Sequence, residues 1–537
     1  MSDKSPEIRM MHKLLQVGVS LSSEKDIDQL LENILQAGMS ITNADGGSIY
    51  RLTEDRHLKF EILITKSKGA YLGGKSGTPI PFPPIAINKP DGSPEMSRVV
   101  CYAVHKGETV NIPDAYNASG FDFSGTKLFD EKNNYRSQSF LTVPMKNHET
   151  EIIGVMQLIN ASDPSTEKIT AFSATQQEIL EALASQAAIA LTNRLLINRL
   201  EELFEGFINM INDAIDDKSP YTSGHCMRVP ELTVMLADAV NNAKAGPLKE
   251  FTMTEGDRHE LKIAGLLHDC GKITTPVHIV DKATKLEAIF DRIALIDLKA
   301  QVILRDIALE VKEGKLDEAT ALSKKNQLLD DLAYLQKTNI GGEFMSNADV
   351  DRVSEIAQRY TWKNGAGEIT PFLSADEIKN LTIRAGTLTE EDRKIINHHI
   401  EVTITMLEKL PWPKHLKNVP EYAGGHHERM DGKGYPKGLA RDQMSVQARC
   451  MAIADVFEAL TASDRPYKKG KKLSESLEIL GKMKLGSHID PDLFDVFIWE
   501  KVYEQYALKY LPAEQIDEID VTKIPGYNPP PDNYFNA

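Results

Sequence analysis

HHERMDGKGYPKGL, residues 426–439, is the stretch on which the reading of this chain turns. It sets two adjacent imidazoles and the carboxylates of Glu428 and Asp431 in a loop punctuated by Gly432, Gly434, Pro436 and Gly438. Neighbouring histidines are in general a surface or core pair, so the stretch indicates a metal only if further nitrogen and oxygen ligands lie elsewhere. They do. YTSGHCMRVPELTVMLA puts His225 at the start of a helix, on the face of Arg228 and Leu232. In HELKIAGLLHDCGKITTP the apolar face of Leu261, Ala264 and Leu267 carries His268 and Asp269 to a helix end, before Gly271 stops it. DRKIINHHIEVTITML offers His398 and His399, and RCMAIADVFEALTASDRPYKKG offers Asp455 on a helix. An adjacent His-Asp pair supplies a nitrogen to one metal and a carboxylate able to bridge two; Lys272, three residues on, can neutralise a phosphate oxygen.

Outward from these segments, 537 residues exceed a single core and suggest two or three domains. A content of 41% apolar and 26% charged residues describes an ordered globular chain. The net charge of −16 argues against a DNA or RNA binder, whose affinity is built from clustered Lys and Arg. Cys101, Cys226, Cys270 and Cys450 have no CxxC spacing, so neither a thiolate zinc site nor a disulfide framework is indicated. No run approaches the ~18 apolar residues of a membrane span, and the charged N-terminus lacks a signal-peptide core. The expected compartment is the cytoplasm.

Helical periodicity over residues 8–40 gives way from about 45 to short strands and a Pro/Gly-rich loop at 78–94. FDEKNNYRSQSFLTVPM followed by IIGVMQLINA resembles a GAF domain, an α+β fold with an antiparallel sheet, over about 25–190. The family binds cyclic nucleotides or other small molecules, or simply dimerises. Of the cyclic-nucleotide motif, Asn160 and Phe172 match, Ala161 stands in place of Lys, and the acidic pair is reduced to Glu178. An unknown small-molecule ligand and a ligand-free dimerisation module are both open readings. Beyond it, Ile189, Asn193, Leu196, Leu200, Leu203, Phe207 and Met210 are spaced 4-3-4-3-4-3, a heptad seam that predicts a homodimer through the connecting helix and the GAF domain.

His225, His268, Asp269, His399, His426, His427 and Asp455 form a specific set of nitrogen and oxygen ligands in one order. The motifs HDxGK at 268–272 and HHExxDGxGYPxGL at 426–439 resemble the HD-GYP domain, and ADVFEALTASDRPYKK resembles the stretch that closes its site. The resemblance implies an all-helical metallophosphohydrolase that hydrolyses cyclic di-GMP to pGpG or GMP by attack of a metal-bridging hydroxide. It implies two divalent metals, iron or manganese. His225, His268, Asp269 and Asp455 would hold one, and Asp269 would bridge to a second held by His399, His426 and His427. Asp269 and Lys272 are the expected catalytic pair. Lys272, Tyr435, Arg465 and Lys468 are the expected substrate contacts, and Glu428 and Asp431 are expected to orient ligand histidines from outside. Alignment of the downstream apolar residues favours His399 over His398. Three-metal members carry Glu where this chain has Tyr221.

The resemblance has an interruption. KATKL at 282–286 normally leads within a few residues to LTEEDRKIINHH, yet about one hundred intervene. That insertion reads as two long amphipathic helices with a turn near Gly314 and a shorter helix at 348–360. The expected organisation is an N-terminal helix (1–24), a GAF-like domain (25–190), a coiled-coil connector (191–216), an HD-GYP domain (217–510) with a helical insertion at about 287–387, and an extended tail (511–537). The competing reading is a catalytically weak cyclic di-GMP receptor whose GYP face engages a partner such as a diguanylate cyclase.

Overall fold

Asp26 opens the first described helix, α1 (Ile27–Thr42), by accepting the Gln29 N–H, and Asn43 closes it in the left-handed conformation. The computed structural model describes residues 24, 26–218, 224–342, 344–463, 470–531, 534 and 535, so the expected N-terminal helix lies almost wholly outside the described residues. The chain divides between Phe204 and Glu205 into two compact units.

In the first unit α1 lies on a sheet ordered β3-β2-β1-β7-β6-β5. These strands are β1 (Ala44–Leu52), β2 (His57–Thr65), β3 (Ala70–Gly73), β5 (Val110–Ile112), β6 (Phe140–Lys146) and β7 (Ile152–Ser162). The short β4 (Ile85–Ala86) and β8 (Ile169–Thr170) pair with β2 and β7. Every pairing is antiparallel, with Ile49 opposite Met156 in the centre. Leu31, Ile34 and Leu35 of α1 pack with Ile49, Met156 and Leu158 on one face. On the other, Tyr50 and Val155 pack under α2 (Val99–Lys106), so the sheet is covered on both sides. A further helix, α3 (Ser124–Asn133), precedes β6.

The two residues matching the cyclic-nucleotide motif do structural work. Asn160 accepts the Gln138 N–H at 2.7 Å and donates to the Arg136 carbonyl at 2.8 Å, while Phe172 is buried in the core. The expected connector, 191–216, is helical throughout. It is the second half of one helix, α4 (Ala174–Lys218), whose first half buries Leu180, Leu183, Ala187 and Leu191 against the sheet. The heptad residues Leu196, Leu200, Leu203, Phe207 and Met210 are all exposed.

The second unit begins with α5 (His225–Asn242) and α6 (Glu255–Leu267); α6 carries a capping box between Thr254 and Asp257. A 3-10 turn (Cys270–Thr274) and α7 (Val277–Val280) follow. After the insertion come α12 (Glu390–Glu408), α13 (Val419–Gly424), α14 (Val446–Thr461), α15 (Leu473–Leu485), α16 (Pro491–Trp499) and α17 (Val502–Tyr510). α5 packs between α6 and α14, and α13 touches α6, α12 and α14, which closes a ring of helices around the polar centre described below.

The insertion folds around its own core of Ile296, Ala300, Leu328, Leu332, Leu335, Val353, Ile356 and Phe372. Its elements are α8 (Ile293–Lys312), α9 (Glu318–Asn339), α10 (Asn347–Arg359), strands β9 (Thr361–Lys363) and β10 (Ile369–Pro371), and α11 (Ala375–Leu381). The all-helical expectation is thus corrected by one hairpin. Its turn is made by Asn364, whose side chain accepts the Ala366 and Glu368 N–H groups, and by Gly367 at a φ of 81°. At the base of the insertion, the buried Lys282 ammonium ties Asn380 to Asp392 at the start of α12.

The expected extended tail is also corrected. Gln515 donates to the Thr461 and Lys471 carbonyls, Lys484 to that of Gly526 and Trp499 to that of Asn528, and Tyr534 is buried. A segment that satisfies this many backbone carbonyls is part of the fold. Among the described residues, no helix is long and apolar enough to cross a membrane.

Candidate metal centre

Five histidines and two aspartates converge inside the ring of helices. Asp269 is the middle of the cluster: its Oδ2 lies 3.2 Å from Nε2 of both His225 and His268, and its Oδ1 lies 3.3 Å from Nε2 of His399. Asp455, on α14, places Oδ1 3.3 Å from His225 Nε2. On the far side, His427 Nε2 is 3.3 Å from His399 Nε2, and the His426 and His427 ring centres are 4.2 Å apart. Two potential ligand groups result, His225–His268–Asp269 and His399–His426–His427.

Local structure aims these rings. His268 and His426 follow the last turns of α6 and α13, and His399 sits within α12. Each donates its Nδ1–H to the carbonyl three residues back, Gly265, Ala423 and Ile396 respectively, at 2.7, 2.6 and 2.5 Å. A carbonyl only accepts, so this contact fixes the tautomer and leaves Nε2 with a free lone pair. His225 is oriented by a carboxylate instead: its Nδ1–H donates to Glu458 at 2.5 Å, and against its burial Glu458, Asp269 and Asp455 hold the imidazole well above its usual pKa.

Gly271 lets the two groups meet. A Cβ there would lie 2.0 Å from the His399 carbonyl oxygen and 2.7 Å from the Thr403 nitrogen, so only glycine lets the turn after Asp269 lie on α12. The Gly271 N–H donates to Thr403 Oγ1 at 2.9 Å in that contact.

The electrostatics divide the cluster. Burial would raise the carboxyls of Asp269 and Asp455, but Lys272 and the histidines overcome it and hold both well below the usual range. Burial pushes His426 well down and His427 to about 4, so both rings are neutral at pH 7 with lone pairs available. Lys272 Nζ lies 2.5 Å from Asp269 Oδ2; burial opposes its charge, but Asp269 and Asp455 keep it a firmly protonated cation. Cys226 and Cys270 are buried, and burial raises their thiols to about 12 and 11, which suits packing rather than ligation.

The residues present fit a metal centre. Nε2 of His268, Nε2 of His426 and Oδ1 of Asp269 are buried and make no hydrogen bond. An unpaired buried polar atom is costly, and three aimed into one centre are what a bound cation would satisfy.

The remaining expected residues divide as follows. Of the adjacent histidines, His399 is buried in the centre while His398 lies at the surface against Glu401. Tyr435 stacks on His427 with ring centres 4.8 Å apart and planes 20° apart. Gly434 makes this possible, because a Cβ there would fall 2.4 Å from the Arg429 nitrogen. Glu428 is corrected: its carboxylate grips the loop rather than a histidine, accepting the Lys437 and Leu439 N–H groups at 2.7 and 2.9 Å. The same correction holds for Asp431, which accepts from Arg429 and from the Lys433 N–H. Both oxygens of Glu428 and one of Asp431 take up loop backbone N–H groups that no strand or helix satisfies, and the other Asp431 oxygen takes the Arg429 guanidinium. Tyr221, Arg465 and Lys468 lie outside the described residues. Sequence reading missed Glu458, although its position three residues after Asp455 on one helix was the available signal.

Comparison with known proteins gives this architecture its class. A family model described as "GAF domain" matches residues 26–191, and two described as "HD domain" match 222–340 and 374–493. The chain therefore carries a GAF domain followed by an HD domain. A cyclic di-GMP phosphodiesterase of Pseudomonas aeruginosa is 37% identical over 115 residues, 21% of this chain and 27% of that protein. A 3'3'-cGAMP-specific phosphodiesterase of Vibrio cholerae is 35% identical over 131 residues, 24% of this chain and 26% of that protein. The chain thus spans about a quarter of the length of these curated relatives. Among solved structures, a GAF domain/HD domain protein from Geobacter sulfurreducens aligns over 33% of this chain and 98% of its own, at 18% identity and a TM-score of 0.23.

Proposed function

We propose that this protein is a metal-dependent phosphodiesterase of the HD-GYP type that hydrolyses cyclic di-GMP to pGpG or GMP, regulated through its GAF domain. The observation that carries the reading is the convergence of unpaired His268 Nε2, His426 Nε2 and Asp269 Oδ1 in one buried centre. His225, His268, Asp269 and Asp455 would hold one divalent ion, and Asp269, His399, His426 and His427 a second. Nitrogen and oxygen donors without thiolate suit iron or manganese, which when bound supply Lewis acidity at phosphorus and activate water at neutral pH.

The chain's own groups supply the rest. Asp269 stands between the two ligand groups and fixes their separation. Lys272 is a cation at the edge of the centre, placed to neutralise a nonbridging phosphate oxygen. Arg465 and Lys468 are the further candidates for phosphate contact, where a guanidinium fork suits bidentate recognition. The exposed heptad seam of α4 supports homodimerisation and a route from the GAF domain.

A relative specific for 3'3'-cGAMP makes that hybrid dinucleotide the second substrate to test. Anaerobic purification, metal analysis and assay of both cyclic dinucleotides is the deciding experiment. Two ions per chain and release of pGpG or GMP are expected, abolished in Asp269→Asn. Metal-loaded protein that binds but never cleaves either compound would establish the receptor reading instead.

A further inference from the structure

The four buried histidines whose Nδ1 partners are described do not share one kind of partner. His268, His399 and His426 each donate to a neutral backbone carbonyl. His225 donates to a carboxylate that is itself wholly buried, Glu458. The arrangement pairs two helices residue for residue: α5 presents His225 and Arg228, three apart, and α14 presents Asp455 and Glu458, also three apart. The His225 ring is consequently held at both nitrogens by one helix, with Asp455 3.3 Å from Nε2 and Glu458 2.5 Å from Nδ1. Arg228 meets the other oxygen of Glu458 through Nε at 2.7 Å and Nη2 at 2.6 Å.

The chemistry of this asymmetry follows from charge. A full negative charge on the Nδ1–H makes an imidazole a stronger donor at Nε2 than a carbonyl dipole does, and it holds the ring at one angle. An unpaired buried carboxylate would be too costly to keep, and the guanidinium removes that cost while leaving the carboxylate ionised. The His225 group also contains two carboxylates, Asp269 and Asp455, whereas the His399 group has only the shared Asp269.

We propose that Glu458 is a positioning residue that acts through His225 to make the two half-sites unequal, so that the ion held by His225, His268, Asp269 and Asp455 binds first and more tightly. The proposal rests on the metal-centre reading above and concerns affinity alone, not the substrate.

The test is calorimetric titration of Mn2+ into the metal-stripped full-length chain. The wild type should bind in two steps, and His426→Ala should lose the weaker one, which assigns the steps. Glu458→Gln keeps the size of the side chain, but its amide offers an acceptor to only one of His225 and Arg228. It should weaken the tight step by about 10- to 100-fold, with the other step held within about threefold. Glu458→Asp keeps the charge and should recover part of that loss, and thermal unfolding of each metal-stripped variant shows that the fold is retained. Equal weakening of both steps in Glu458→Gln, no weakening of either, or an Asp variant no better than the Gln variant would overturn the proposal. Failure of the phosphodiesterase reading shows separately, as two-step Mn2+ binding without cleavage of a cyclic dinucleotide.

Discussion

Replacing Gly271 by alanine tests the contact that joins the two halves of the centre. The added Cβ would sit 2.0 Å from the His399 carbonyl oxygen and 2.7 Å from the Thr403 nitrogen, and real Cβ atoms do not come within 3.0 Å of a neighbour. Both opposing atoms belong to the α12 backbone, so the relief is a separation of about 1 Å between the turn and the helix. That movement is applied two residues from Asp269, whose Oδ1 lies 3.3 Å from His399 Nε2. Overpacking of this kind costs about 1–3 kcal/mol, and a misplacement near 1 Å at a reacting centre costs about 100-fold in rate. Urea unfolding of the metal-free protein should show the lower midpoint without a changed slope. Turnover of cyclic di-GMP should fall by roughly 100-fold, and the ion held by His399, His426 and His427 should be lost first. An alanine variant with the wild-type midpoint and wild-type turnover would refute the argument that close backbone approach sets the site.

Other perturbations read other parts of the structure. Tyr435→Ala removes the stack on His427, worth about 0.5–1.5 kcal/mol, so the weaker Mn2+ step should lose about 3- to 10-fold in affinity by calorimetry, while Tyr435→Phe should be near wild type. Glu428→Ala removes the acceptor of the part-buried Lys437 and Leu439 N–H groups, at about 0.5–1.5 kcal/mol each, and should lower the thermal midpoint before it touches the first metal step. His427 titrates at about 4 in the fold against about 6.5 unfolded, so between those values the unfolded chain binds more protons and stability rises with pH. In metal-free protein that contribution amounts to at most about 3 kcal/mol, lost as pH falls from 6.5 to 4, and His427→Gln should flatten the dependence seen in denaturant titrations over that window.

The metal-ligand candidates were legible because their chemistry is intrinsic: imidazoles and carboxylates in short motifs keep their ligand character wherever the backbone carries them. The helices of the second domain were equally legible, because the apolar period of the HELKIAGLLHD segment and its Gly stop are local properties. The hairpin at 361–371 went unread although its Asn-Gly turn is local, since it interrupts a stretch whose periodicity is helical.

Other features depended on tertiary structure because their causes lie across the chain. His398 and His399 are chemically identical in sequence; packing of α12 buries one and leaves the other at the surface. Glu458 reads locally as one more polar position, and it becomes the partner of His225 only when α5 and α14 meet. The Pro-rich end reads as a solvated extension until Lys484 and Trp499 donate to its carbonyls. The Gly-Tyr-Pro segment, open in sequence to substrate or partner, stacks its tyrosine on His427 because Gly434 admits the Glu428–Arg429 backbone. The sequence by itself determined which groups can bind a cation. Folding decided which of their nitrogens and oxygens are left unpaired together, because desolvation and close approach are properties of the packed interior and not of any segment alone.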